Sequence, residues 1–238
     1  MGKFMVESPV AFVIGATRGI GKATASRFLE EGYVVAGTHR GSGVGDGVHG
    51  IECDVTEAAA IKAAFKEVVA TFGRLDTVVY NAGMARQDLL IRMRDEDLRL
   101  VMETNLFGAF TAVQESLKYM GRARSGSILL ISSESSRTGI PGSAHYTSSK
   151  AALDGLVRSA MWEAGPRGIR INVVAPGPTK TDMLARVEEA DLERLIDSSP
   201  LKRIAEPEEI ADAIFKISTL SYLTGALIPV TGGEGLGY

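Results

Sequence analysis

Val10-Ala11-Phe12-Val13-Ile14-Gly15-Ala16-Thr17-Arg18-Gly19-Ile20-Gly21 is the stretch from which the fold is read. Five apolar residues in succession predict a strand buried on both faces. Three glycines follow at the spacing G-x-x-x-G-x-G. Residues 20–30 then place Ile20, Ala23, Thr24, Arg27 and Phe28 along one side of a helix. A strand that runs through a glycine turn into a helix opens a βαβ unit.

The same alternation continues along the chain. Strands are expected at 33–38, 77–80, 127–132, 169–175 and 226–230. Helical patterns cover 57–72, 95–119, 145–164, 185–197 and 206–219. Residues 41–50 (GSGVGDGVHG) hold five glycines and no helical period, so a loop or single turn is expected there, with an abbreviated crossover. Residues 1–9 read as a loose leader. The expected fold is α/β, a single-domain doubly wound (Rossmann) parallel sheet with helices on both faces, spanning 1–238. Its ligand belongs at the carboxyl ends of the strands.

The 238 residues are 45% hydrophobic and 23% charged, which excludes a disordered or collagenous chain. A net charge of −3 provides no basic excess for nucleic acid. A lone cysteine, Cys53, and three scattered histidines exclude an intrachain disulfide and argue against a metal centre. Apolar runs are too short for a membrane span, so a cytoplasmic protein is expected.

The glycine turn is built to let backbone approach a pyrophosphate at a helix amino end, which implies a dinucleotide. Gly15, Thr17, Arg18, Gly19, Ile20 and Gly21 are its candidate contacts. The second strand ends in Thr38-His39-Arg40 with no acid to hold a ribose hydroxyl. Arg40, with Arg18, suits a 2′-phosphate, so NADPH is favoured over NADH. Asp54 and Val55, after Cys53, are candidates for the adenine. Cys53 itself reads as a small buried residue.

Tyr146 and Lys150 are four apart on a helix and share a face. A phenol titrates near 10, and a neighbouring ammonium is expected to lower that value and fit it for proton transfer at neutral pH. Ser133, at the close of a strand, can orient a carbonyl oxygen. Carbonyl reduction is the chemistry such a group supports.

In order along the chain stand Gly15-x-x-x-Gly19-x-Gly21, Asn81-Ala82-Gly83, Asn105, Ser133, Tyr146-x-x-x-Lys150 and Pro176-Gly177-x-x-x-Thr181. This set resembles the short-chain dehydrogenase/reductases. Residues 81–110, 172–183 and 225–238 look like bacterial 3-oxoacyl-[acyl-carrier-protein] reductases. Residues 38–55 look like the shortened loop of their actinobacterial, mycolic-acid-pathway branch. The resemblance implies Tyr146 as general acid, with Lys150 tuning it and holding the nicotinamide ribose. Ser133 would orient the carbonyl, and Asn105 would anchor a water in a proton relay. It further implies Asn81, Ala82, Gly83, Pro176, Gly177, Thr179 and Thr181 along the cofactor cleft. The substrate would be an acyl thioester on acyl carrier protein or CoA, with Arg124 and Arg167 docking an acidic carrier protein.

Two positions depart from the pattern: Pro178 where an aromatic is common, and Thr231 where aspartate is usual. His145 reads as a loop or cap residue, and Glu134 and Arg137 as borders of the substrate mouth. Residues 182–205, with Met183, Leu184, Val187, Leu192, Leu195 and Ile196, read as a helical lid, with Gly177 and Pro200 near its ends. The resemblance implies a homotetramer, with Phe107, Phe110, Met161 and Trp162 as candidate contacts. The competing readings are a reductase of another ketone (polyketide, quinone or small carbonyl) and a non-catalytic NADP-binding scaffold.

Overall fold

A computed structural model describes residues 6–182, 184 and 189–235. Seven parallel strands form one sheet in the order β3-β2-β1-β4-β5-β6-β7. They are β1 Val10–Ile14, β2 Val34–His39, β3 Val48–Glu52, β4 Thr77–Tyr80, β5 Gly126–Ile131, β6 Ile169–Pro176 and β7 Leu227–Val230. The helices are α1 Gly19–Glu30, α2 Ala58–Phe72, α3 Asp95–Met102, α4 Gly108–Ala123, α5 Ser135–Thr138, α6 Ala144–Ala164, α7 Glu189–Ser198 and α8 Pro207–Thr219.

The apolar run of β1 is explained by its place between β2 and β4, with every residue buried. Alternate side chains enter opposite layers, as the pleat requires. Phe12 meets Phe65 of α2 edge-to-face at 5.1 Å between ring centroids. Ala11 and Val13 join Phe28 of α1 and Ile214 of α8 on the other face. Truncating Phe12 to alanine would cost about 3–5 kcal/mol, from lost transfer energy and the cavity left behind.

Local signals set the helix ends. Gly73 closes α2 at φ +79, in the left-handed region open to glycine. Pro207 opens α8, where the Glu209 carboxylate accepts the Glu206 N–H at 2.9 Å. That bond and the Arg203 guanidinium hold Glu209 down to about 2, with Arg203 the larger cause.

Several expectations are corrected. The glycine-rich segment is not loop throughout, because β3 begins at Val48 and pairs with β2. As an edge strand it buries only Ile51, so it carries no apolar alternation to read. Residues 6–9 are fastened: Val6 N–H donates to Phe72 at 3.2 Å, and the Pro9 carbonyl accepts from Val34 at 2.9 Å. The long helix over 95–119 is interrupted by a π-turn, Glu103–Phe107, and continues to Ala123. Met161 is half-buried, packed beside Gly225 against the main core. Phe107, Phe110 and Trp162 remain 50%, 48% and 75% exposed. Among the described residues no helix is long and apolar enough to cross a membrane, and no cluster could hold a metal ion.

Candidate active site

Strand order reverses around β1, and the site forms there, at the carboxyl ends of β1, β4, β5 and β6. The glycine turn is closed onto its neighbours. Gly15 stands at φ +87, and a Cβ there would lie 2.8 Å from the Ala82 nitrogen. A Cβ on Gly21 would overlap the Gly15 carbonyl oxygen, and one on Gly19 would lie 2.9 Å from Thr181 Cγ2. Asn81 Nδ2 donates to that Gly15 carbonyl at 2.9 Å, while the Gly15 N–H donates to Thr38 Oγ1 at 2.8 Å. The α1 amino end has neither a capping side chain nor an acid in its first turn. Bare backbone and free amides at a helix start fit the pyrophosphate of a dinucleotide. Thr38 was missed by sequence reasoning, since its partner lies 23 residues away.

Thr17 and Ile20 are half-buried in the turn, and Arg18 is exposed. Arg18 pairs with Asp182 at 3.1 Å, but both side chains are about two-thirds exposed, so the pair contributes little. Arg40 is exposed just beyond β2. Its charge helps hold the Asp54 carboxyl below the usual range, after two larger causes, the hydrogen bonds from the Thr56 N–H and hydroxyl. Arg40 thus lies near Asp54, whose chain neighbour Val55 is buried. Pro176 ends β6, where its carbonyl accepts the Glu134 N–H at 2.9 Å. Thr179 Oγ1 donates to Gly177 at 3.0 Å and Thr181 Oγ1 to Thr179 at 3.3 Å, a tight turn facing the glycines.

Ser133 lies two residues past β5. Its Oγ accepts the Ser135 N–H at 3.2 Å and is hydrogen-bonded to Ser135 Oγ at 3.0 Å. The Tyr146 phenol, from the first turn of α6, hydrogen-bonds Ser133. Lys150, one turn on and 3% exposed, lies 5.9 Å from the Tyr146 ring centroid and donates to the Ile131 carbonyl at 2.7 Å. A Cβ on Gly83 would come within 3.2 Å of Lys150 Nζ, which brings the Asn81-Ala82-Gly83 loop against the group.

One electrostatic expectation is overturned. Burial raises the Tyr146 phenol above its ordinary 10, with the Ser133 hydrogen bond acting the other way, and no lowering by Lys150 is found. Burial lowers Lys150 to about 8, and its ammonium is aimed at a carbonyl rather than at the phenol oxygen. The phenol is therefore held in its proton-bearing form.

Asn105 is fully buried in the π-turn. Nδ2 donates to Met84 O and Ser149 Oγ, both at 2.9 Å, and Oδ1 accepts the Met84 N–H at 2.8 Å. Both amide hydrogens are committed to protein, so the side chain clamps the 83–84 loop to α6.

Glu134, 2% exposed, pairs with Arg137 at 3.3 Å. Glu234 approaches from the carboxyl-terminal segment; burial and then the Glu134 charge push its carboxyl up. That second acid was not anticipated, because only the tertiary path of the chain end brings it here. Thr231 Oγ1 accepts the Gly233 N–H at 3.2 Å, and Ser199 Oγ donates to Gly232 O at 3.0 Å. Of the lid residues, Leu184, Leu192, Leu195 and Ile196 are half-buried, while Met183 and Val187 lie outside the described residues.

Arg124 and Arg167 are adjacent but far from this site. Arg124 Nη2 donates to Pro166 O at 2.8 Å, and both stand just before the amino ends of β5 and β6. Six residues of β5 put them roughly 20 Å from Ser133.

A nucleotide cradle beside a half-buried serine and tyrosine and a buried lysine defines an NAD(P)-dependent oxidoreductase. The family described as enoyl-(acyl carrier protein) reductase matches residues 15–234. The chain belongs to the short-chain dehydrogenase/reductases. It is 40% identical over 228 residues to the 3-oxoacyl-[acyl-carrier-protein] reductase MabA of Mycobacterium avium, covering 95% of this chain and 89% of that protein. It is 38% identical to the reductase FabG of Staphylococcus aureus (strain Mu50 / ATCC 700699), covering 94% and 96%. Among solved structures, ElxO with NADP bound superposes with a TM-score of 0.89 at 28% identity, covering 97% of this chain and all of that one.

Proposed function

We propose that the chain catalyses NADPH-dependent reduction of a 3-oxoacyl thioester, on acyl carrier protein or CoA, to the 3-hydroxyacyl thioester of fatty-acid synthesis. The observation that carries this reading is the convergence of Ser133, Tyr146 and Lys150 beside the glycine turn. The names of the relatives support the substrate class, and ElxO with NADP bound supports the choice of nucleotide.

The cofactor, when bound, supplies a hydride to the carbonyl carbon. Gly15, Thr17, Arg18, Gly19, Ile20 and Gly21 would hold its pyrophosphate, Arg40 its 2′-phosphate, and Asp54 with Val55 its adenine. Asn81, Ala82, Gly83, Pro176, Gly177, Thr179, Thr181 and Lys150 would border its nicotinamide half. Ser133 Oγ donates a hydrogen bond to the substrate oxygen, on which negative charge develops as the C=O π bond breaks. Tyr146 Oη gives its proton to that oxygen, forming the hydroxyl and leaving a phenolate. Solvent then restores the proton to the phenolate. Asn105 keeps Gly83 and α6 in register throughout.

Residues 182–205 would close over the acyl chain and exclude water. The exposed faces of Phe107, Phe110 and Trp162 would meet other subunits in a homotetramer. Arg124 and Arg167 would dock an acidic carrier protein at the opposite, amino-terminal end of the strands.

NADPH oxidation with acetoacetyl thioesters of CoA and of carrier protein, run beside Tyr146→Phe, tests this reading. Turnover by the wild type, lost in the variant with NADPH binding intact, is expected. Oxidation with quinones or simple ketones but neither thioester would overturn the substrate assignment. Nucleotide binding with no carbonyl reduced would leave a scaffold.

A further inference from the structure

We infer that His145 is a positioning residue for the Tyr146 proton donor, its imidazole Nδ1 replacing the missing helix cap at the amino end of α6. This rests on Tyr146 being the general acid.

Tyr146 is the third residue of α6, so its N–H has no carbonyl partner inside the helix. The usual acceptor is a side-chain oxygen of the capping residue. Ser143 occupies that position and is a residue type suited to it, yet its side chain makes no cap bond. Only its carbonyl takes part, accepting the Thr147 N–H at 2.8 Å. The Tyr146 N–H donates to His145 Nδ1 at 3.0 Å instead. In this bond Nδ1 is the accepting ring nitrogen, which leaves Nε2 as the ring's other polar atom.

The carbonyl of the same residue is held as well. Ser149 Oγ donates to the Tyr146 carbonyl at 2.7 Å and accepts from Asn105 Nδ2 at 2.9 Å. Side chains therefore fasten both backbone polar groups of Tyr146: the carbonyl through Ser149 and Asn105, the amide through His145. His145 is 2% exposed, so bulk water does not compete for the amide while the imidazole is in place. The phenol hangs from this backbone and must meet both Ser133 and the substrate oxygen, where a small displacement lowers the rate.

Three variants separate the cap from mere filling of space. In His145→Asn the side-chain oxygen occupies the place of Nδ1. In His145→Gln the acceptor moves out to the place of Nε2. His145→Leu fills the volume without an acceptor. The full-length enzyme is assayed with NADPH and acetoacetyl-CoA, with circular dichroism and NADPH binding as checks on folding. His145→Asn is expected to keep kcat within about two-fold, while the glutamine and leucine variants lose about five-fold, the factor matching one helix-capping bond. KM for NADPH should move little in any of them, because the cap serves the proton donor.

Equal losses in the asparagine and glutamine variants, or full kcat in both glutamine and leucine variants, would overturn the proposal. Should His145→Leu not fold, the asparagine–glutamine comparison decides alone. A wild type inactive on the thioester refutes the substrate assignment only; the variants are then compared on whichever carbonyl it reduces, and reduction of none refutes both.

Discussion

The hydroxyl of Tyr80, at the end of β4, donates to the backbone carbonyl of Thr104 at 2.6 Å, inside the π-turn that carries Asn105. A π-turn breaks the regular helical ladder, and this buried phenol answers a carbonyl there. Gly108 is part of the same arrangement, since a Cβ on it would overlap the Tyr80 oxygen. One strand end thereby sets the register of the residue that joins the Gly83 loop to α6. Tyr80→Phe removes the donor and keeps the ring. It should lower stability by about 1–2 kcal/mol in urea unfolding. It should also lower kcat more than the KM for NADPH. Unchanged stability and rate would show that the turn holds without it.

Lys150 should leave a signature in the pH dependence of folding. Its folded value of about 8 lies below the ordinary 10.5, because burial disfavours the charge. Between those values the unfolded chain binds more protons than the folded one, so this group makes stability rise as pH climbs from about 8 towards 10.5. The Cys53 thiol, pushed up to about 11 by burial, acts in the opposite direction above 9, as does the raised Tyr146 phenol above 10. The wild type must therefore be compared with Lys150→Met. Urea midpoints at pH 8 and pH 10 should show the variant's stability advantage shrinking by on the order of 1–3 kcal/mol as pH rises. A constant difference would place Lys150 in a more hydrated setting.

Cofactor choice is expected to turn on Arg40. Arg40→Asp exchanges a cation for an anion beside Asp54, so a 2′-phosphate would meet repulsion. The ratio of kcat/KM for NADPH over NADH should fall by at least about ten-fold, equivalent to roughly 1.4 kcal/mol. An unchanged ratio would remove Arg40 from the nucleotide site.

Docking and chemistry can be separated through the basic pair. Arg124 and Arg167 lie a strand's length from Ser133, so Arg124→Glu with Arg167→Glu should leave turnover of acetoacetyl-CoA unchanged. Turnover of the carrier-bound substrate should fall, chiefly through KM and more steeply at low salt. Equal rates on both substrates would end the docking role.

The sheet, its first turn and the Tyr146–Lys150 pair were legible in the amino-acid sequence because each rests on neighbours along the chain. β1 must be apolar throughout since it is covered on both faces, Gly15 and Gly19 must reach positive φ, and a four-residue spacing puts two side chains on one helical face. Edge strand β3, with only Ile51 buried, had no such pattern. The break around Asn105, the approach of Glu234 to Glu134 and the direction of the Lys150 ammonium came from packing alone. Each joins groups that are remote in sequence, and their burial and hydrogen-bond geometry exist once the layers close on one another.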